Sequence, residues 1–349
     1  MTAPTLRRRA LVTLTGVAAA ALALTACSSD PADGDAAATG DPAATAATSD
    51  TAATDDAETG TWPRTITHEA GDTEITEEPL TIVSTSITLT GTLLAIDAPV
   101  VASAATSVSD ITDDQGFFSQ WADVADERGV EVLYPDLELD LEAIEALEPD
   151  LIVGSTVGAD ATVDSYDQLS AIAPTILLDY GSSSWEDLAA TLGEATGHEA
   201  DAEAVVAEFD ALLADTAEAI TLPEQPVTAL SYNGPDGARV FTATSPQARI
   251  LTGLGFELAE PPLELASAER SDVVDFTAEN LPTVLADSQV AFLVSATDED
   301  VATFTADPLL ANAPSVTSGN VVALGLTSFR IDYYSGTDLV ELLAQTYGG

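Results

Sequence analysis

The chain contains no lysine, a single cysteine and two histidines. One cysteine excludes a disulfide framework. Two histidines leave a zinc finger, a multi-histidine metal site or a Cys/His protease without enough ligands or partners. Cations are scarce as well: nine, all arginine, stand against 59 acids, for a formal net charge of −50 in 349 residues. Binding a phosphate backbone needs clustered cations that release counterions, and no such cluster exists beyond the first ten residues, which excludes nucleic acid as a partner. The same shortage excludes an anionic membrane surface as a partner of the folded body. Apolar material is plentiful, 46% of residues with a mean hydropathy of +0.18. That is enough for one or two cores and too much for a disordered acidic tail.

The amino terminus reads as a secretory signal over 1–26. Arg7, Arg8 and Arg9 head an apolar run over 10–24 that is too short to span a bilayer as a helix. The run ends in Leu24-Thr25-Ala26-Cys27, which resembles the bacterial lipobox. In such a motif the small residues fit the signal peptidase, and the cysteine thiol takes a diacylglyceryl group before cleavage makes it residue one. Cys27 is therefore expected to be the lipidation site, holding the protein on the extracellular face of the cell membrane at about 0.8 kcal/mol per buried CH₂. Cleavage removes three arginines and no acid, which leaves six cations against 59 acids. Residues 27–61 follow as a flexible tether, almost entirely Ala, Thr, Asp, Gly, Ser and Pro, with too little apolar surface to offset its ordering entropy.

Residues 64–68 and 73–75 alternate around Gly71-Asp72 as a short hairpin, with His68 read as an exposed strand residue. Strand and helix units then take over. Strands are expected at 80–84, 100–102, 130–133, 149–153 and 174–178, and helices over 88–96, 140–147 and 161–172. Helical spacing resumes at Trp185, and 199–220 has one apolar face and no Pro or Gly. At 1.5 Å per residue that helix is roughly 30 Å long, enough to cross between two small lobes. Past Pro223 and Pro226 the alternation restarts, with strands at 227–230, 238–241, 290–294 and 321–324, a helix over 245–254, a further element at 281–285 and a closing helix over 337–347. Such alternation predicts an α/β protein of two Rossmann-like lobes, 62–184 and 223–349, with parallel sheets, joined by one long α-helix within 185–222.

The string Leu139-Asp-Leu-Glu142-Ala-Ile-Glu-Ala-Leu-Glu-Pro149-Asp-Leu-Ile-Val153, with Asp97-Ala-Pro99-Val100 before it, resembles the first lobe of the iron–siderophore and cobalamin class of periplasmic substrate-binding proteins. Asp275-Phe-Thr-Ala-Glu279-Asn-Leu281 and Ser328-Phe-Arg330-Ile-Asp-Tyr-Tyr334-Ser335 are similar to the second lobe of the ferric-enterobactin-type members. The resemblance covers about 62–349. Two departures stand out: Leu80-Thr81 replaces the usual arginine after the hairpin proline, and the first helix lacks its usual acid. The resemblance implies the class III periplasmic-binding-protein fold and a monomer that catalyses no reaction. It also implies a ferric siderophore as ligand and the permease subunits of an ABC importer as partner. No cofactor or protein metal ligand is needed, because the siderophore already satisfies its iron with its own oxygens. By the same resemblance Glu142 and Glu279, one per lobe, meet arginines of the permease, where such pairs fix orientation more than they add affinity. Read without it, both are solvated first-turn acids favoured by a helix dipole.

A cleft for such a ligand needs flat faces and donors, and arginine supplies both through its charged planar fork. Arg330 follows an expected strand end, where open α/β sheets bind ligands. Arg249 and Arg239 are further candidates, although each, like Arg270, could instead pair with an acid. In the first lobe Phe118, Trp121, Tyr134, Tyr180 and Trp185 are candidate walls. Phe118 and Trp121, at i and i+3, read equally as helix core, and Tyr180 and Trp185 as packing. Cobalamin and haem remain alternatives in the same fold. A secreted lipoprotein hydrolase is the reading from another class, but Gly154-Ser155-Thr156-Val157-Gly158 lacks the spacing of a nucleophile elbow.

Overall fold

The computed structural model describes residues 61–349; the signal, Cys27 and the tether up to residue 60 lie outside the described residues. An antiparallel hairpin comes first, β1 (Arg64–His68) and β2 (Gly71–Ile75), whose alternation buries Ile66, His68, Thr73 and Ile75 on one face. His68 is thus not the exposed strand residue expected. Its Nδ1 accepts the N–H groups of Ala70 (3.2 Å) and Leu177 (3.3 Å), and its Nε2 lies 2.9 Å from Thr73 Oγ1. Two backbone donors on Nδ1 require a neutral ring protonated at Nε2, and burial accordingly pushes the imidazole below its usual pKa.

The first lobe runs β3 (Ile82–Ser84), α1 (Ile87–Ala95), β4 (Val100–Ala104), α2 (Ser119–Arg128), β5 (Glu131–Tyr134), α3 (Leu141–Ala146), β6 (Leu151–Ser155), α4 (Tyr166–Ile172) and β7 (Thr175–Leu178). Its sheet order is β5-β4-β3-β6-β7, all parallel. Every residue of β3, β6 and β7 is buried, as strands covered by helices on both faces must be. The chain winds outward from β3 in one direction and from β6 in the other, so the crevice between their carboxyl ends is the topological switch point.

Next come α5 (Trp185–Thr196) and α6 (Glu199–Ala219), the 21-residue helix expected from the sequence. The second lobe follows with β8 (Val227–Tyr232), β9 (Ala238–Phe241), α7 (Pro246–Gly253), β10 (Ala268–Glu269), β11 (Val273–Phe276), α8 (Leu281–Val284), β12 (Val290–Leu293), α9 (Asp298–Ala306), α10 (Pro314–Ser318), β13 (Val321–Ala323) and α11 (Tyr333–Tyr347). Its order is β10-β11-β9-β8-β12-β13. Here the expectation of a parallel sheet holds only for β8, β12 and β13; β9, β11 and β10 alternate antiparallel. The cause is the five-residue connection Asn233-Gly-Pro-Asp-Gly237, too short for the crossover that a parallel neighbour needs. Gly237 sits at φ +97, and a Cβ there would fall 1.9 Å from Phe276 O.

The joint between lobes is broader than one helix. α6 packs on α5 and on α7 and α11, while α11 also packs on α1 and α2 of the first lobe. One core runs continuously from the hairpin through α1, α5, α6 and α11 into β8 and β12, with a smaller core on the outer face of each sheet. At the head of α11 the buried Asp332 accepts Ser335 N–H (2.9 Å) within its own helix and Gln120 Nε2 (3.2 Å) from α2. Burial pushes that carboxyl above the usual range.

Candidate ligand-binding cleft

A cleft of about 880 Å³ lies between the lobes. Its first-lobe wall is built from the segments after β3, β6 and β7, which contribute Thr88, Gly158 and Tyr180. Its second-lobe wall takes Arg239 from β9, Arg249 from α7, Arg270 beside β10 and Arg330 from the segment between β13 and α11. Four of the six arginines beyond residue 26 therefore face one cleft in a strongly acidic protein.

Arg330 meets Tyr180 across the cleft, its guanidinium carbon 4.5 Å from the ring centre, a cation–π stack between the lobes. Arg330 Nε is buried and has no hydrogen-bond partner. The segment carrying it is held firmly: Gln247 Nε2 donates to Ser328 O at 2.9 Å, and Ser335 Oγ donates to Arg330 O at 2.8 Å. Tyr180 in turn donates its hydroxyl to Asp160 Oδ1 at 2.6 Å. Burial first, and then this hydrogen bond to a carboxylate, leaves the phenol pushed up to about 12, so it stays neutral.

The other arginines differ in how much charge they can offer. Arg270 grips Asp272 through two bonds of 3.0 and 2.7 Å, which holds the Asp272 carboxyl below its usual range. Arg239 pairs with Asp275 at 2.9 Å. Arg249 is exposed and, among the described residues, neither it nor Arg330 has an ion-pair partner. The two arginines away from the cleft are occupied: Arg64 bridges to Glu199 and lies over Trp62, and Arg128 pairs with Asp97.

Three aromatic candidates are core, not wall. Trp121 is fully buried against Phe117, with ring centres 5.2 Å apart. Phe118 packs edge-on to Phe329 at 5.1 Å, where it helps join the lobes. Tyr134 is buried with its hydroxyl on Thr85 O at 3.2 Å, and burial pushes that phenol up. Phe118 and Trp121 sit at the head of α2 inside the core that joins the lobes, and Tyr134, at the end of β5, belongs to the smaller core on the outer face of the first sheet. Trp185 does both: it is 5% exposed and packs on Phe209 at 5.3 Å, yet borders the cleft. Sequence reasoning missed Asp160, Gln247 and Phe329. Phe329 adjoins Arg330 and could have been found by that adjacency, whereas Asp160 is one acid among 59 with no motif to mark it.

Glu142 is exposed on the first turn of α3, which Asp140 caps by accepting the Glu142 and Ala143 N–H groups at 3.0 Å each. Glu279 is exposed on the turn before α8. Ser155, the hydroxyl of the rejected nucleophile elbow, donates to backbone carbonyls. Among the described residues no group of three or more His, Cys, Asp or Glu could hold a metal ion, and no helix is long and apolar enough to cross a membrane.

Two α/β lobes with a helical joint and a ligand-sized cleft at their strand ends define a two-lobed solute-binding protein of the class III fold. Residues 82–326 match the periplasmic binding protein family, and the chain belongs to it. It is 44% identical over 292 residues to the ferric enterobactin-binding periplasmic protein FepB of Escherichia coli O6:H1, covering 82% of this chain and 91% of that protein. Among solved structures, holo-ViuP aligns with a TM-score of 0.75 at 38% identity, over 83% of this chain and 97% of its own. Staphylococcus aureus SirA complexed with staphyloferrin B shares the fold, with a TM-score of 0.64 at 21% identity over 81% of this chain and 97% of its own.

Proposed function

We propose that this protein captures a ferric siderophore between its lobes and delivers it to an ABC importer for iron uptake, with a ferric tris-catecholate as the ligand. The observation that carries this reading is the second-lobe wall: four arginines, with Arg330 stacked on Tyr180 and its Nε unpaired. The ferric enterobactin-binding relative supports the same ligand class. A complex of this kind is an anion, and the acidic body repels it at long range. Salt screens that field beyond about 8 Å. An arginine 4 Å from a charge returns on the order of 4 kcal/mol at an effective dielectric near 20. Local charge therefore outweighs global charge inside the cleft.

No bond is made or broken by the chain in this reading. Cys27 carries the lipid that tethers a monomer to the outer face of the membrane, and Glu142 and Glu279 dock the two lobes on the permease. Tryptophan fluorescence tests the ligand, because Trp185 borders the cleft. Ferric enterobactin should quench it at far lower concentration than ferrichrome, haem or cobalamin. Tighter binding of haem or cobalamin, or no binding of any of the four, overturns the proposal. Docking has a separate test: charge reversal at both Glu142 and Glu279 should abolish uptake in cells and leave affinity unchanged. Cys27→Ser should release the protein from the membrane fraction.

A further inference from the structure

Ligand capture as proposed makes no use of Asp160, yet this side chain is only 5% exposed. It lies in the segment between β6 and α4 and gathers three donors: Ser86 Oγ at 2.5 Å, Thr88 N–H at 3.2 Å and the Tyr180 hydroxyl at 2.6 Å. No cation pairs with it among the described residues. A buried carboxylate without a cation is costly, and capping α1 through Thr88 alone could be done by a neutral acceptor. The segment is also shaped to admit the phenol. Gly158 adopts φ +85, and a Cβ there would fall 1.6 Å from Tyr180 Oη.

We propose that Asp160 is a positioning residue for the ligand site: it takes the Tyr180 hydroxyl in a hydrogen bond and so fixes the ring as the platform on which Arg330 of the opposite lobe stacks. Carboxylate, phenol and guanidinium then form a relay across the cleft that sets where Arg330 meets the ligand. The inference rests on the reading of the cleft under Proposed function and deepens it. With its proton committed to Asp160, Tyr180 offers the ligand a ring face and a lone pair but no donor. Hydrogen bonds to anionic ring oxygens are left to the cleft arginines, Arg330 foremost, which favours catecholates over ligands that need a tyrosine donor. A hydrogen bond to a carboxylate also enriches the ring in electron density, which strengthens its hold on the guanidinium.

The test is a double-mutant cycle read with ferric enterobactin on the full-length protein, using wild type, Asp160→Asn, Tyr180→Phe and the double variant. Each single variant should weaken binding about five- to tenfold, and the double variant should be no weaker than either single one. A D160N loss that persists unchanged in the Y180F background would mean that Asp160 acts through the α1 cap, and the proposal falls; no loss in either background overturns it as well. A second readout needs no ligand. Alkaline absorbance titration, with the Y180F curves subtracted, isolates Tyr180, which should ionise at lower pH in D160N than in wild type; an unshifted curve overturns the proposal. If wild type binds no ferric chelate, the function proposed above fails while the titration still decides on Asp160. If D160N does not fold, Y180F alone decides, since it leaves the other two donors to Asp160 in place: affinity equal to wild type would overturn the relay.

Discussion

Along the first-lobe wall of the cleft no side chain is charged, whereas the second-lobe wall carries Arg239, Arg249, Arg270 and Arg330 against Asp272 and Asp332. The difference follows from how each sheet is built. In the first lobe all five strands are parallel and the central ones are buried on both faces, so only the segments beyond their carboxyl ends reach the cleft. Those segments are Thr, Gly and Ser rich and bring one aromatic ring, Tyr180, to the centre. In the second lobe the antiparallel ribbon β9, β11 and β10 has one face open, and period-two alternation turns Arg239 outward while Ala238 and Val240 are buried. One lobe supplies a neutral platform and the other supplies charge, and Arg330 over Tyr180 is where they meet.

The largest effect expected of this division is at the meeting point. Arg330→Ala should weaken ferric enterobactin binding about 100-fold or more, because it strips a desolvated charge from the ligand. Arg330→Lys should recover little, since an ammonium cannot reproduce the planar stack; full recovery would show that charge alone is read. Calorimetry on the two variants separates these outcomes. Next in size, Arg249→Ala should cost about tenfold and Arg239→Ala or Arg270→Ala only about two- to threefold, because Asp275 and Asp272 already match the latter two. Equal losses at all three would break the distinction between paired and unpaired arginines.

The smallest effects are on stability, and the two regions should respond to pH in opposite directions. His68 is held neutral with its pKa below 6.5. An unfolded chain therefore takes up a proton that the folded hairpin refuses. Stability from this group is present above pH 6.5 and is lost as pH falls toward the folded value. Asp332 has its pKa raised above 3.8. Its contribution is present below pH 3.8 and is lost as pH rises through the folded value. Urea unfolding across pH should show His68→Gln flattening the acid limb and Asp332→Asn flattening the opposite one; curves parallel to wild type would remove either group as a source of pH dependence.

Much of the fold was legible because its signals are local. The hairpin, α1, α6, β6 and the strand–helix alternation all appear near the positions their periodicity predicts, and α6 begins at the expected residue. The antiparallel half of the second sheet was missed, although Asn233-Gly-Pro-Asp-Gly237 is a turn signature that states it. β10, at two residues, and α10, at five, are too short to carry a period. At the site Arg330, Arg249, Arg239, Tyr180 and Trp185 border the cleft, while Phe118, Trp121 and Tyr134 do not. Phe118 and Trp121 are the helix core that their i, i+3 spacing allowed, whereas Tyr134, at a strand end, carries no local mark of which side of the sheet it faces.

Composition and order along the chain were enough to determine the α/β class, the long α6 and a scarcity of cations that makes each arginine conspicuous. Only the tertiary structure decided which arginines have charge to spare, that α11 joins α6 in bridging the lobes, and that Asp160 takes the Tyr180 hydroxyl. The physical reason is distance along the chain. A strand period or a cap is set by residues a few positions apart, whereas Arg239 and Asp275 become neighbours only when β9 pairs with β11, and Tyr180 and Arg330, and Gln120 and Asp332, only after both sheets have formed and the core between them has closed.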